Sequence, residues 1–197
     1  GGTLGNLSAL VAAREKARTS TISSGRWVVI VSPYAHSSVE SAAKVMDIDV
    51  VQCDVGEDLK LRGSDVLRTL QRLSPEQKPF AVIATAGSTN LGIVDEIHSI
   101  AEVAKENNLW FHIDGAYGGA GVVAPSVREL YRGIEHADSF IVDPHKWLFA
   151  PFDACALIYR DPADAKKAHQ QHASYLDTLD DKSEWNPSDL AVHLTRR

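Results

Sequence analysis

The sequence predicts an α/β fold with a mostly parallel sheet flanked by helices. Two observations lead there: apolar runs of strand length alternate with stretches of helical period, and most runs end in small or polar residues. A third sets the scale. At 197 residues, 44% hydrophobic and 23% charged, the chain has enough apolar material for one sizeable core.

The elements follow in order. A helix is expected over 6–17, where Leu7, Leu10, Val11 and Ala17 fall on one face. A strand over 27–31 leads through Ser37 and Ser38, both suited to capping, into a helix over 38–46. A strand over 50–53, a helix over 65–73, a strand over 80–84 and a helix over 95–107 continue the alternation. Strands are then expected over 110–113, 139–142 and 155–159. Asp161-Pro162 opens another helix, residues 173–186 lack periodicity and read as a loop, and 188–197 reads as the start of a further helix. The core domain is accordingly placed at 1–160 and the following segment at 161–197.

Several function classes are excluded. The formal charge of −6 comes from 26 acidic and 20 basic residues spread along the chain, so no basic stripe invites nucleic acid. No apolar stretch approaches the roughly 18 residues of a membrane span. Cys53 and Cys155 are isolated and lack metal-ligand spacing, which favours buried thiols and a cytoplasmic setting.

The chemistry is concentrated in two charges. Asp114 lies in Phe111-His112-Ile113-Asp114-Gly115-Ala116-Tyr117-Gly118-Gly119, and Lys146 in Asp143-Pro144-His145-Lys146-Trp147, thirty-two positions later. Both stand among apolar and small residues, where an ion costs several kcal/mol unless it has a partner or a task. A desolvated Lys becomes a usable amine nucleophile, and an Asp at a strand end can hold a protonated ring nitrogen. Those are the two anchors that pyridoxal phosphate requires. Asp114, Lys146, His36 and Thr89 all follow predicted strands, where open α/β sheets bind ligands.

With these motifs in this order, the chain resembles the pyridoxal phosphate-dependent group II amino acid decarboxylases, of the aromatic amino acid and glutamate decarboxylase type, from Gly1 to Arg197. The resemblance implies the large domain of the fold-type I (aspartate aminotransferase-like) pyridoxal enzymes, built on a mostly parallel, seven-stranded-type sheet, with an N-terminal segment and a small C-terminal domain lying outside this chain. It implies decarboxylation of an L-amino acid to its amine and carbon dioxide by a homodimer with the active site at the interface. Lys146 is then the Schiff-base lysine and Asp114 the partner of the pyridine nitrogen. Gly2 and Thr3, in a turn ahead of the first helix, are expected at the phosphate. His36 is expected on one face of the ring with Ala116 on the other, Thr89 at the phenolic side with Ser88 as a weaker candidate, and His145 near substrate. Tyr175, on a mobile loop, is the expected proton donor, which separates decarboxylases from the related aldehyde synthases. Other carbon–carbon lyases on this scaffold, and a non-catalytic scaffold protein, are the alternatives; retention of both Lys146 and Asp114 weighs against the last. Two positions depart from the common pattern. Asp143 stands where some relatives have Asn, and as a carboxylate it is not assigned to the phosphate. Gly115 stands where Ala is frequent, and it is expected to loosen the turn.

Overall fold

The computed structural model of the protein describes residues 1–20, 24–170 and 187–192. Six strands, β1 (Arg26–Val31), β2 (Asp49–Gln52), β3 (Gln77–Thr85), β4 (Trp110–Asp114), β5 (Ser139–Val142) and β6 (Ala156–Tyr159), form one sheet in the order β2-β1-β3-β4-β5-β6. The first five are parallel, and β6 closes the edge antiparallel to β5. The sheet is thus of the expected mostly parallel kind, with the six strands read from the sequence among the described residues, where the family resemblance implies a seven-stranded type.

Period-two alternation sends the strand side chains to two separate cores. Val29 and Val31 of β1, Ala81 and Ile83 of β3 and Trp110 of β4 pack with α1 (Gly2–Ser20), α2 (Ser38–Met46) and α5 (Pro162–His169). Ile30, Val82, Ala84, Phe111 and Ile113 pack on the other side with α3 (Gly63–Arg72) and α4 (Ile97–Glu106). His112 and Asp114, two apart on β4, therefore share the face covered by α1.

The structure revises α1 most. It starts at Gly2 instead of residue 6, so Gly2 and Thr3 form its first turn. Its buried face is Asn6, Ala9, Leu10 and Ala13, while Leu7 and Val11 are only half-buried. At α2, Ser37 stands at the N-cap but makes no side-chain cap; Nδ1 of His36 accepts the Ser38 N–H instead, at 3.1 Å. Asp161 caps α5 as its position suggests, accepting from the Ala163 N–H at 2.9 Å. Pro187–Leu190 forms a short 3-10 turn where the start of a helix was expected.

Two close backbone approaches position the loops beyond the strands. Gly87, with φ of +89°, lies against Gly118, and a Cβ built on Gly87 would stand 2.6 Å from the Gly118 Cα. The loops after β3 and β4 touch there because neither residue has a side chain. Gly115 is not loose either: a Cβ there would meet Phe140 at 2.5 Å and the Ile141 carbonyl at 2.9 Å. The turn it occupies is packed, which corrects the expectation drawn from sequence.

Candidate active site

The carboxyl ends of the parallel strands converge in register. Thr85 pairs with Asp114, and Asp114 with Ile141, so the loops after β3, β4 and β5 leave the sheet together. Between them and the first turn of α1 lies a cavity of about 480 Å³. Gly2, Thr3, His36, Thr89, Asp114, Ala116, His145 and Lys146, eight residues named from sequence, all line it. Tyr175 lies outside the described residues. Ser88 is absent from the lining, and its hydroxyl accepts the Ile93 N–H at 3.2 Å within its own turn.

Asp114 is buried and its two oxygens are held separately. Oδ1 accepts the Ala116 N–H at 3.1 Å, and Oδ2 accepts from the Asn6 amide at 2.9 Å. Two fixed donors leave the carboxylate with one orientation and with lone pairs still open to the cavity.

Lys146 departs from the expectation of a desolvated amine. Its side chain is 33% exposed, and its Nζ stands 3.0 Å from Oδ2 of Asp143. The same oxygen accepts the Gly2 N–H at 3.1 Å, and Nε2 of His145 lies 3.7 Å away. Asp143 thus sits at the N-terminus of α1, where the helix dipole and free N–H groups favour an anion. Its other oxygen, Oδ1, is buried without a hydrogen-bond partner among the described residues. His145 donates from Nδ1 to the Ala154 carbonyl at 2.6 Å and packs edge-on against Phe152.

Sequence reading missed Asn6, Ser38 and the contact role of Asp143. Asn6 carried a signal: it is a polar residue in register with Ala9, Leu10 and Ala13, the stripe that the fold buries.

Comparison with known proteins bears on the class. The chain matches the pyridoxal-dependent decarboxylase conserved domain over residues 1–197. The chain belongs to this pyridoxal-dependent decarboxylase family. It is 31% identical to the aromatic-L-amino-acid decarboxylase of Bacillus atrophaeus over 203 residues, covering 100% of this chain and 42% of that protein. Among solved structures it is similar to Oryza sativa TDC with PLP and tryptamine, with a TM-score of 0.90, 27% identity, and coverage of 100% of this chain and 43% of that one. It is also similar to Rhodiola rosea 4-hydroxyphenylacetaldehyde synthase, with a TM-score of 0.82, 27% identity, and coverage of 100% and 42%. The chain thus spans less than half the length of these family members.

The residues of the cavity fit the family's cofactor. They supply an amine, a buried carboxylate, an imidazole and a helix N-terminus, and any Cβ on Gly2 would meet the Ala116 Cβ at 2.9 Å, so the backbone needs glycine to come this close. Asp143 is the one element that meets the same helix end a phosphate would use.

Proposed function

We propose that the protein of which this chain forms part decarboxylates an L-amino acid to the corresponding amine and carbon dioxide, using pyridoxal phosphate held through Lys146. The observation that carries this reading is the convergence of Lys146, Asp114, His36 and the N-terminus of α1 on one cavity. Bound there, pyridoxal phosphate supplies a protonated pyridine ring that accepts the electron pair released as the substrate carboxylate leaves.

The chain's own residues do the rest. Asp114 holds the proton on the ring nitrogen, with its orientation set by the Asn6 amide and the Ala116 N–H. His36 and Ala116 would bound the ring on its two faces, and a side chain larger than Ala at 116 would occupy that space. The first turn of α1 offers its N–H groups to the phosphate. Lys146 must lose a proton and its contact with Asp143 before its amine reacts, because an ammonium has no free electron pair. Tyr175 delivers the proton to the carbon that lost its carboxylate, so that amine leaves as product. The amino acid substrate is of the class used by the family, and a cytoplasmic setting belongs to the same reading.

Borohydride reduction of the full-length enzyme followed by peptide mapping tests this. The cofactor is expected on Lys146 and absent from Lys146→Ala; recovery on another lysine overturns the reading. Replacing Tyr175 with Phe separates decarboxylase from aldehyde synthase. Loss of amine with a rise in aldehyde, ammonia and peroxide is expected, and an unchanged amine yield removes Tyr175 from the mechanism.

A further inference from the structure

Behind Asp114 lies a chain of buried hydrogen bonds whose direction is set by the groups in it. The Trp110 indole can only donate, and it gives its Nε1–H to the Ser139 hydroxyl at 2.8 Å. Ser139 then spends its own hydrogen on Nδ1 of His112, at 2.8 Å. His112 is fully buried, and desolvation pushes its imidazole down to about 4 against the attraction of Asp114, so at neutral pH the ring carries one proton. With Nδ1 accepting, that proton sits on Nε2, which donates to Oδ1 of Asn6 at 2.9 Å. The amide of Asn6 is thereby oriented: its Nδ2 gives one hydrogen to Oδ2 of Asp114 at 2.9 Å and the other to Ser38 at 3.0 Å. The reverse orientation would set Oδ1 against an acceptor-only carboxylate. Ser38 in turn donates to Nδ1 of His36 at 2.9 Å, and the Ser38 N–H points to the same nitrogen, so His36 carries its proton on Nε2.

We propose that Asn6 is the positioning residue of this site, a single buried amide that fixes the carboxylate of Asp114 and, through Ser38, the tautomer of His36. The two groups assigned to the cofactor's ring nitrogen and ring face thus answer to one side chain on α1. Three partners, His112, Ser38 and Asp114, hold Asn6 through one acceptor bond and two donor bonds, with 1% of the residue exposed. A residue lacking either the donor or the acceptor breaks the chain at its midpoint. The inference rests on the reading that the cavity holds pyridoxal phosphate.

The test uses the full-length enzyme loaded with pyridoxal phosphate carrying ¹⁵N in its ring, as wild type, Asn6→Leu and Asn6→Ser. Leu keeps the branching of Asn at Cγ without its polar atoms, and Ser is too short to join His112 to Asp114. In wild type the ring nitrogen should give a pyridinium signal by solid-state NMR. Both variants should shift that signal toward unprotonated pyridine and lower kcat by about tenfold to a hundredfold with KM within about twofold, the size seen when outer partners of a bound group are removed. A merely structural role would lower the folded fraction and leave the ring signal of the loaded enzyme in place. Should Asn6→Leu not fold, Asn6→Ser decides. A full pyridinium signal with wild-type kcat in the folded variant overturns the inference. Failure of wild type itself to bind the cofactor is a different result, and overturns the reading of the cavity.

Discussion

At the scale of single residues, Asp143 is where this site differs from what its pattern suggests. One oxygen serves the Gly2 N–H and the Lys146 amine together, and the other is buried with no partner among the described residues. A carboxylate in that place repels a phosphate brought to the same helix end. Asp143→Asn keeps the shape and an acceptor for Gly2 while removing the charge. The expected result is roughly tenfold tighter binding of pyridoxal phosphate to the apoenzyme, read by fluorescence titration, a modest fraction of the Coulomb energy between close charges at a protein surface. Weaker binding would show that Asp143 supports the phosphate site. Sequence reading left this residue unassigned because whether a carboxylate faces or avoids a helix end is a matter of side-chain direction, which no residue pattern states.

At the scale of elements, the strands were legible and the helix starts were not. β1 and β3 carry continuous apolar runs, 28–31 and 80–84, buried on both faces, and such runs identify themselves. α1 was read four residues short because Gly2, Thr3 and Gly5 are poor helix formers; tertiary contact overrides that propensity, with Gly5 so close to β5 that a Cβ would fall 2.0 Å from Ile141. The candidate site was legible for a related reason: its residues follow strands, and parallel strands bring their carboxyl ends together. Asn6 and Ser38 escaped because they act on other side chains. The contact between Gly87 and Gly118 carries a prediction at this scale. Tyr131 donates its hydroxyl to the Gly118 carbonyl and holds that turn against the Gly87 loop. A methyl on Gly118 would stand 2.8 Å from both the Ala86 carbonyl and the Gly87 Cα, so backbone must move. Gly118→Ala should cost about 1–3 kcal/mol by thermal or urea unfolding, and should weaken cofactor binding as the Thr89 loop separates from Asp114. Unchanged values in both measurements would mean that the two loops are set independently.

At the scale of the whole molecule, one feature concerns assembly and another concerns acid. Phe149 is 91% exposed and Phe152 83%, and Phe152 also lines the cavity, so apolar surface continues from the site onto the exterior. In the homodimer reading a second subunit covers it; Phe149→Glu in the full-length enzyme is expected to shift sedimentation toward monomer and lower activity, and an unchanged dimer would place the interface elsewhere. The response to acid follows from two buried groups with opposite signs. Burial pushes the Asp95 carboxyl from 3.8 up to about 6, against the Thr85 and Leu61 N–H groups that bond it. The folded chain therefore keeps a proton there that the unfolded chain releases, and the stability this contributes is full below about pH 3.8 and lost as pH rises to about 6. His112 goes the other way, from 6.5 down to about 4: its contribution is full above about pH 6.5 and lost as pH falls toward 4. Each amounts to roughly 3 kcal/mol across its window, at about 1.4 kcal/mol per pH unit, and between pH 4 and 6 the two nearly cancel. His112→Gln and Asp95→Asn both remove hydrogen bonds and should both destabilise, yet their pH slopes should diverge. Relative to wild type, urea unfolding at pH 4.5, 5.0 and 5.5 should show stability of His112→Gln falling as pH rises and that of Asp95→Asn rising. Because each slope is read against wild type, groups common to all three proteins drop out, and three parallel lines would mean that neither group titrates differently in the folded and unfolded chains.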